Sequence, residues 1–287
     1  MKAIHKLLAV TASLVMLSSL SQADLVTNYF QTALGEITNA ANWSLGTVPV
    51  IGTDVGVLDS IIASNTSSTA LNNKQLILNG TAIIRGQEAI SATNFNIVLN
   101  NTSQLYGMNN GGTLARGTLT LNDSSLLNIG ANSETFTACT INLNGTSTGL
   151  VNRTTTLKTG TVVNLNDYST FRLRTRTSTT IDYPSIELGS YFNFTSTNAV
   201  LQGYFNTVDY STNFNQMIID GKIRANGLTV STNNFKVTYI PGNNTVTNGT
   251  FVQLIPEPAT AGLFGLAGAM VFLLRRQMKK KQNDEID

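Results

Sequence analysis

A short segment recurs along the middle of the chain at nearly constant spacing, and this repeat limits the fold more than any other feature. Each copy has two apolar residues around one variable residue, then Asn, a turn former and small polar residues. Successive copies lie about 21 or 22 residues apart. A degenerate copy, IELGSYFNF, occupies 186–194, and weaker copies are predicted at 57–59 and 218–220. The clear copies are LILNGTAII at 76–84, IVLNNTSQL at 97–105, LTLNDSSLL at 119–127, INLNGTSTG at 141–149 and VNLNDYSTF at 163–171.

Each copy predicts a half-buried strand followed by a tight turn. Leu119 and Leu121 flank Thr120, which is the period-2 alternation of a strand with one buried face. Asn followed by Gly, Asn or Asp tolerates the backbone angles of a turn. One copy cannot bury its own apolar face, whereas stacked copies bury it together. We therefore predict an all-β chain folded as a parallel β-helix, a solenoid of about 22-residue coils spaced about 4.8 Å apart.

The Asn after each repeated Leu would then lie directly above its counterpart in the next coil. Stacked side-chain amides form hydrogen bonds along the axis of such a stack. We predict a structural role for this row, because amides bonded to one another have little capacity left for a ligand. The predicted ladder consists of Asn79, Asn100, Asn122, Asn144 and Asn166.

An antiparallel β-sandwich is the alternative fold, since it also uses many short strands separated by turns. The near-constant spacing of the copies favours the solenoid.

Composition excludes some partners: only 12% of residues are charged and the net charge is +2. This balance argues against a nucleic-acid-binding protein, which needs a basic surface.

The first 23 residues predict a secretory signal peptide. Lys2 and Lys6 precede an apolar run from Leu7 to Leu17, which is too short to span a bilayer. Small and polar residues follow, so cleavage is expected between Ala23 and Asp24. A short membrane anchor is the alternative interpretation of the same run.

The C-terminal segment 256–281 has three parts, namely a Pro-Glu-Pro motif, an apolar stretch and a cluster of basic residues. A transmembrane helix is expected at 259–274, and the basic residues after it should remain on the cytoplasmic side. The motif residues are Pro256, Glu257, Pro258, Arg275 and Arg276.

This tripartite tail resembles the PEP-CTERM sorting signal of Gram-negative bacteria. The resemblance implies recognition by an exosortase-type processing enzyme and the secretion machinery. It also implies transient anchoring in the inner membrane, followed by delivery to the cell envelope or extracellular exopolysaccharide. The tail departs from the family pattern because it continues from Gln277 to Asp287 after the arginines.

Between the two end segments, we predict a cap at 24–56, solenoid repeats at 57–235 and a linker with the last strands at 236–255. The Asn-Trp and Val-Pro pairs in 24–56 resemble the opening of autotransporter-like β-solenoids. Trp43, the sole tryptophan, is predicted to cover the open apolar end of the stack. A platform for stacking a sugar ring is the alternative role for Trp43.

The inventory of reactive side chains is small. The chain has one His, which lies in the predicted signal peptide, and one Cys. These counts exclude a zinc site of His and Cys and a Ser-His-Asp triad in the mature chain. We predict that Cys139 is a buried small residue. The sequence therefore predicts no catalytic residue, cofactor or metal site.

Glycoside hydrolysis would need two carboxylates across a cleft. The candidate acids are Asp123, Asp167, Asp182 and Glu187. Turn geometry accounts for Asp123 and Asp167, because Asn101 and Gly145 occupy the same turn position in neighbouring copies.

Three arginines alternate with other residues near position 174. Arg172, Arg174 and Arg176 are predicted to project from one face of a strand. Guanidinium groups bind carboxylates and phosphates, so this face is a candidate contact for an anionic glycan. A solvated strand face that discourages lateral pairing is the alternative.

Taken as a whole, the sequence predicts an exported, non-enzymatic structural or adhesive protein of the cell envelope or extracellular matrix. The alternative is a polysaccharide-binding or polysaccharide-degrading protein on the same scaffold, because lyases similar to pectin lyase share the parallel β-helix.

Overall fold

Three β-sheets surround one elongated apolar interior, and the chain passes through them in turn to form each coil. The computed structural model describes residues 25–65, 70–86, 91–107, 112–129, 134–152, 155–174, 185–204, 209–242 and 248–256. Neighbouring strands in the repeats are parallel and lie one coil apart in sequence, as between Thr118–Leu121 and Thr140–Leu143. The prediction of a parallel β-solenoid with about 22-residue spacing is confirmed, in a chain that is mostly β and also contains an α-helix.

The first sheet contains the strand of each repeated segment. Its strands alternate buried and half-buried residues, as the period-2 pattern predicts. In spatial order they are Val26–Tyr29, Asp54–Asp59, Gln75–Asn79, Asn96–Leu99, Thr118–Leu121, Thr140–Leu143, Val162–Leu165, Tyr191–Phe194 and Ile223–Ala225.

The second sheet follows the first across a tight turn, and a shorter third sheet completes the coil. The second sheet contains, in spatial order, Ile62–Asn65, Ile83–Gly86, Gln104–Gly107, Leu126–Ile129, Thr148–Asn152, Thr170–Arg174, Val200–Tyr204, Gly249–Leu254 and Phe235–Ile240. The third contains Ala92–Thr93, Thr113–Ala115, Glu134–Thr137, Thr155–Lys158 and Ser185–Ile186.

The core consists of aligned columns of side chains, because parallel strands in register place equivalent residues above one another. Along one column of the first sheet, Leu78, Leu99, Leu121 and Leu143 are fully buried. Each contact joins residues of consecutive coils, so burial of any coil depends on its neighbours.

The coil that follows Arg174 is longer than the preceding ones. Val163 pairs with Phe192 and Leu165 with Phe194, so Asn193 lies 29 residues after its counterpart Asn164. The degenerate copy at 186–194 therefore fits the first sheet through its last four residues. Leu188, which the copy aligns with the repeated Leu, is 94% exposed.

The N-terminal end of the rod is integrated into the first sheet. Val26–Tyr29 pairs in parallel with Asp54–Asp59, so the parallel sheet already begins within the segment 24–56. The weak copy at 57–59 is a genuine repeat, because Leu58 pairs with Leu78. A 3-10 helix, Ala40–Asn42, lies between the two strands.

The C-terminal end is closed by a helix and an antiparallel hairpin. The α-helix Ser211–Ile219 buries Phe214, Met217 and Ile218, and a second 3-10 helix spans Thr232–Asn234. Gly249–Leu254 pairs antiparallel with both Val200–Tyr204 and Phe235–Ile240. The weak copy predicted at 218–220 is wrong, because this segment completes the helix.

Both targeting segments fall outside the described residues: the signal peptide at 1–23 and the transmembrane helix at 259–274. Within the described ranges, no helix has the length and apolar character needed to cross a membrane.

Candidate functional site

The Asn residues that follow the repeated Leu form a continuous row along one corner of the rod. The side-chain Nδ2 of each donates to the Oδ1 of its counterpart one coil earlier. These distances are 2.8 Å from Asn100 to Asn79, 2.8 Å from Asn122 to Asn100, 2.9 Å from Asn144 to Asn122 and 2.7 Å from Asn166 to Asn144. The inner amides of the row thus donate and accept within the stack, which is a structural use of these groups.

A second amide row, which the sequence analysis missed, lies on the outward face of the first sheet. Asn164 Nδ2 donates to Asn142 Oδ1 at 2.8 Å, and Asn193 Nδ2 donates to Asn164 Oδ1 at 2.8 Å. The backbone N–H of Gly227 donates to Asn193 at 2.7 Å. The recurring Asn between two apolar residues, in INL, VNL and FNF, was the available signal.

Two of the candidate catalytic acids bind backbone amides at the turns. Asp123 Oδ2 accepts from the N–H of Asn101 at 2.9 Å, and Asp167 Oδ2 accepts from the N–H of Gly145 at 2.8 Å. Asn101, Asp123 and Gly145 all have positive φ angles, which Asn, Asp and Gly adopt most readily. Turn geometry therefore accounts for both carboxylates.

Of the other two candidate acids, Glu187 and Asp182, the structure describes only Glu187. Glu187 Oε2 accepts from the backbone N–H and the hydroxyl of Thr159, both at 3.1 Å. Asp182 lies outside the described residues. Among the described residues, no three His, Cys, Asp or Glu side chains lie close enough together to hold a metal ion.

Trp43 is buried at the N-terminal end, with 2% of its surface exposed. Its indole N–H donates to the backbone carbonyl of Ile37 at 2.9 Å, and its ring packs edge-on against Phe30 with centroids 5.0 Å apart. A Cβ added to Gly56 would lie 2.9 Å from the indole, so the ring packs directly against the first sheet. The alternative role as a sugar-stacking platform is excluded, because the ring faces are covered.

A cluster of buried polar groups near Trp43 stabilises the N-terminal segment through hydrogen bonds. The sequence did not predict this cluster. Asn28 Nδ2 donates to Asp54 Oδ2 at 2.9 Å and to the carbonyl of Thr47 at 2.8 Å. Asp54 Oδ1 accepts from the N–H of Val50 at 2.9 Å. Burial lowers the pKa of the Lys74 ammonium, and the nearby Asp54 carboxylate opposes that shift.

Cys139 is buried in the interior, as predicted from its single occurrence. Burial raises the pKa of the Cys139 thiol to about 11. A thiol with this pKa is almost entirely protonated at neutral pH, and only the thiolate is an effective nucleophile.

The arginine strand is described in part. Arg172 lies in Thr170–Arg174 on the outward face of the second sheet, and its Nε donates to Gln202 Oε1 at 3.1 Å. The backbone of Arg174 belongs to the same strand, while its side chain and the whole of Arg176 lie outside the described residues.

A shallow, open pocket of about 450 Å³ lies at the corner between the third and first sheets. Polar side chains line it, and Asn94 Nδ2 donates to Asn73 Oδ1 at 2.9 Å across it. The lining residues are Asn72, Asn73, Thr93, Asn94 and Arg116.

The sorting motif meets the described structure only at its first residue. Pro256 is exposed two residues after the last strand, Gly249–Leu254. The predicted cleavage residues Ala23 and Asp24 lie outside the described residues, as do Glu257, Pro258, Arg275 and Arg276.

Comparison of the chain with protein-family models, with curated proteins and with solved structures finds no match.

Proposed function

We propose that this chain is an exported structural protein of the cell envelope or extracellular matrix, sorted by a PEP-CTERM-like C-terminal signal. In this proposal the signal peptide directs export and the 259–274 helix holds the chain transiently in the inner membrane. An exosortase-type enzyme then releases the rod. The rod itself acts as a scaffold or adhesive element outside the cytoplasm.

The position of the motif relative to the fold is the observation that supports this proposal. The final strand ends at Leu254, and the motif begins at Pro256, which is exposed. A processing enzyme needs an accessible, extended segment, and such a segment would begin here without unfolding any strand. The coil-to-coil bonding of Asn100, Asn122 and Asn144 supports a scaffold role, because these groups stabilise the stack.

The experiment is an intact-mass measurement of the chain expressed in a Gram-negative host that contains an exosortase. The expected product begins at Asp24 and has lost the segment that follows the Pro256-Glu257-Pro258 motif. In the same host without the exosortase gene, the C-terminal segment should be retained and the product should stay in the membrane fraction.

A matched pair of variants tests the motif itself. Glu257→Ala should block C-terminal cleavage, whereas Glu187→Ala removes one carboxylate from the body and should leave cleavage unchanged. A full-length product that still begins at Met1 in the cytoplasm would contradict the proposal. So would C-terminal cleavage that is independent of the exosortase.

A further inference from the structure

The outward face of the second sheet carries a row of side chains that differs from the amide rows. Consecutive register pairs join Arg85 to Tyr106, Tyr106 to Asn128, Asn128 to Leu150 and Leu150 to Arg172. We call these five residues the axial row, because they follow one another along the length of the rod. Four coil steps of about 4.8 Å separate its two arginines by about 19 Å.

The axial row has the chemistry of a binding surface for an acidic sugar polymer. Guanidinium groups form paired hydrogen bonds with carboxylates. A tyrosine ring offers an apolar face for a sugar ring and a hydroxyl at its edge. Arg85 is exposed, and Tyr106 and Asn128 are half-buried on the same face.

The electrostatics of this face favour an anion. Neither the axial row nor the adjacent outward row contains a carboxylate between the two arginines. The adjacent row consists of Ile83, Gln104, Leu126, Thr148 and Thr170. Arg172 is held by its Nε bond to Gln202 at 3.1 Å, which reduces the entropy lost when its guanidinium binds a ligand.

The other two sheet faces are less suited to this ligand. On the first sheet, the outward row ends at Arg224, whose guanidinium stacks on the Tyr191 ring at 4.0 Å from its centroid and whose Nε donates to the Gly221 carbonyl. The described strands of the third sheet carry one positive charge, that of Lys158. The carboxylate of Glu187, just after the last strand of this sheet, disfavours an anion.

We propose that the axial row binds a carboxylated polysaccharide whose chain runs along the rod axis. Arg85 and Arg172 bind carboxylates at the two ends of the site, and Tyr106 stacks on a sugar ring between them. This inference rests on the proposed function in one respect, because an exported protein meets such polymers outside the cell.

The test is calorimetric titration of the purified exported chain with polygalacturonate, with neutral dextran as the comparison polymer. We expect binding to polygalacturonate that weakens as salt rises, because charged contacts are screened. Arg85→Gln and Arg172→Gln should each weaken binding about tenfold, the range for hydrogen bonds to charged groups. Tyr106→Leu should weaken binding without changing its salt dependence.

Lys158→Gln is the matched control, because it removes one exposed positive charge from the third sheet and should leave binding unchanged. Equal weakening by Lys158→Gln and Arg85→Gln would overturn the proposal, since binding would then follow net charge alone. Absence of binding, equal binding to dextran, or preferential binding to vesicles of anionic phospholipid would also overturn it. Thermal melting of each variant verifies folding, and intact-mass analysis of export is independent of every binding outcome.

Discussion

The regular coils and the two ends of the rod are stabilised by different means. In the coils between Gln75 and Arg174, the interior is mostly aliphatic, and the polar corner residues are joined by amide hydrogen bonds. At the two ends, aromatic rings fill the interior. Phe30 packs on Trp43 at the N-terminal end, and Phe194 packs on Phe235 at the C-terminal end with centroids 5.3 Å apart.

These two regions show how a repeat is continued and how it is stopped. Within the regular coils, each Asn of the first amide row bonds to an identical residue one coil away, and these hydrogen bonds help to maintain the register. After the longer coil, the hydroxyl of Thr195 donates to Asn166 Oδ1 and ends the first amide row. An end of the stack has no next coil, so bulky rings, the helix and the antiparallel hairpin bury the apolar surface there.

The largest expected effect is at the N-terminal end. Trp43→Ala removes a buried indole, its hydrogen bond to Ile37 and its contact with Phe30. We expect a loss of about 4 kcal/mol in the free energy of unfolding, typical of Trp-to-Ala changes in a core. Urea unfolding followed by circular dichroism measures this loss.

Trp43→Phe is the control for this prediction, because it keeps an aromatic ring and loses the indole hydrogen bond and part of the buried ring volume. It should cost clearly less than Trp43→Ala. If both variants unfold at the wild-type urea concentration, the ring does not stabilise the end of the stack.

An intermediate effect is expected in the regular coils. Asn122→Leu interrupts the first amide row and leaves Asn100 Oδ1 and Asn144 Nδ2 without their partner. We expect a loss of about 2 kcal/mol, the sum of two ordinary hydrogen bonds, measured by thermal and urea unfolding. Binding to the axial row should be unaffected.

Ser125→Ala is the matched control three residues away. The Ser125 hydroxyl is buried with no hydrogen-bond partner among the described residues, so its removal should cost little or even stabilise the chain. An unchanged melting temperature for Asn122→Leu would count against the stabilising role of the ladder.

The smallest effect compares two glycines at turns. Gly145 in the regular coils and Gly189 in the longer coil both have positive φ, of 63° and 83°. A Cβ on Gly145 would lie 2.8 Å from the backbone oxygen of Asp123, whereas a Cβ on Gly189 meets nothing within 4 Å. Gly145→Ala should therefore cost about 1 kcal/mol more than Gly189→Ala, because crowding adds to backbone strain. Equal costs would show that the regular turns are no more tightly stacked than the longer one.

Much of the regular region could be predicted because its pattern is local and periodic. The alternation around Leu119 and Leu121 specifies a strand with one buried face, and the spacing of the copies specifies stacking. The ladder positions follow from those two facts, since identical residues at identical positions must meet. The turn roles of Asp123 and Asp167 followed in the same way.

The ends could not be predicted in the same detail because their contacts have no repeat to reveal them. The segment 218–220 has the composition of a strand, but burial of Phe214 and Ile218 against the last coils makes it helical. Asn28 and Asp54 are 26 residues apart and meet only after the N-terminal strand joins the first sheet.

The axial row could not be predicted from the sequence either, although it lies within the regular region. Arg85, Tyr106 and Arg172 belong to different coils, and the coils between Tyr106 and Arg172 carry Asn and Leu at the same position, so inspection for similar residues does not group them. Only the register of the parallel strands places them in one line. In the sequence, Arg172 groups instead with Arg174 and Arg176 along a single strand.

The residues alone specify the coil, its length, its buried face and the identity of its first amide ladder. These properties depend on the alternation of apolar and polar residues and on the spacing of the repeat, both of which can be counted in the sequence. Only the folded chain shows where the stack begins and ends, how the 29-residue step is accommodated and which side chains line each outward face. Those features depend on contacts between segments that are distant in sequence. Such contacts form, and stabilise the chain, only when the coils are stacked.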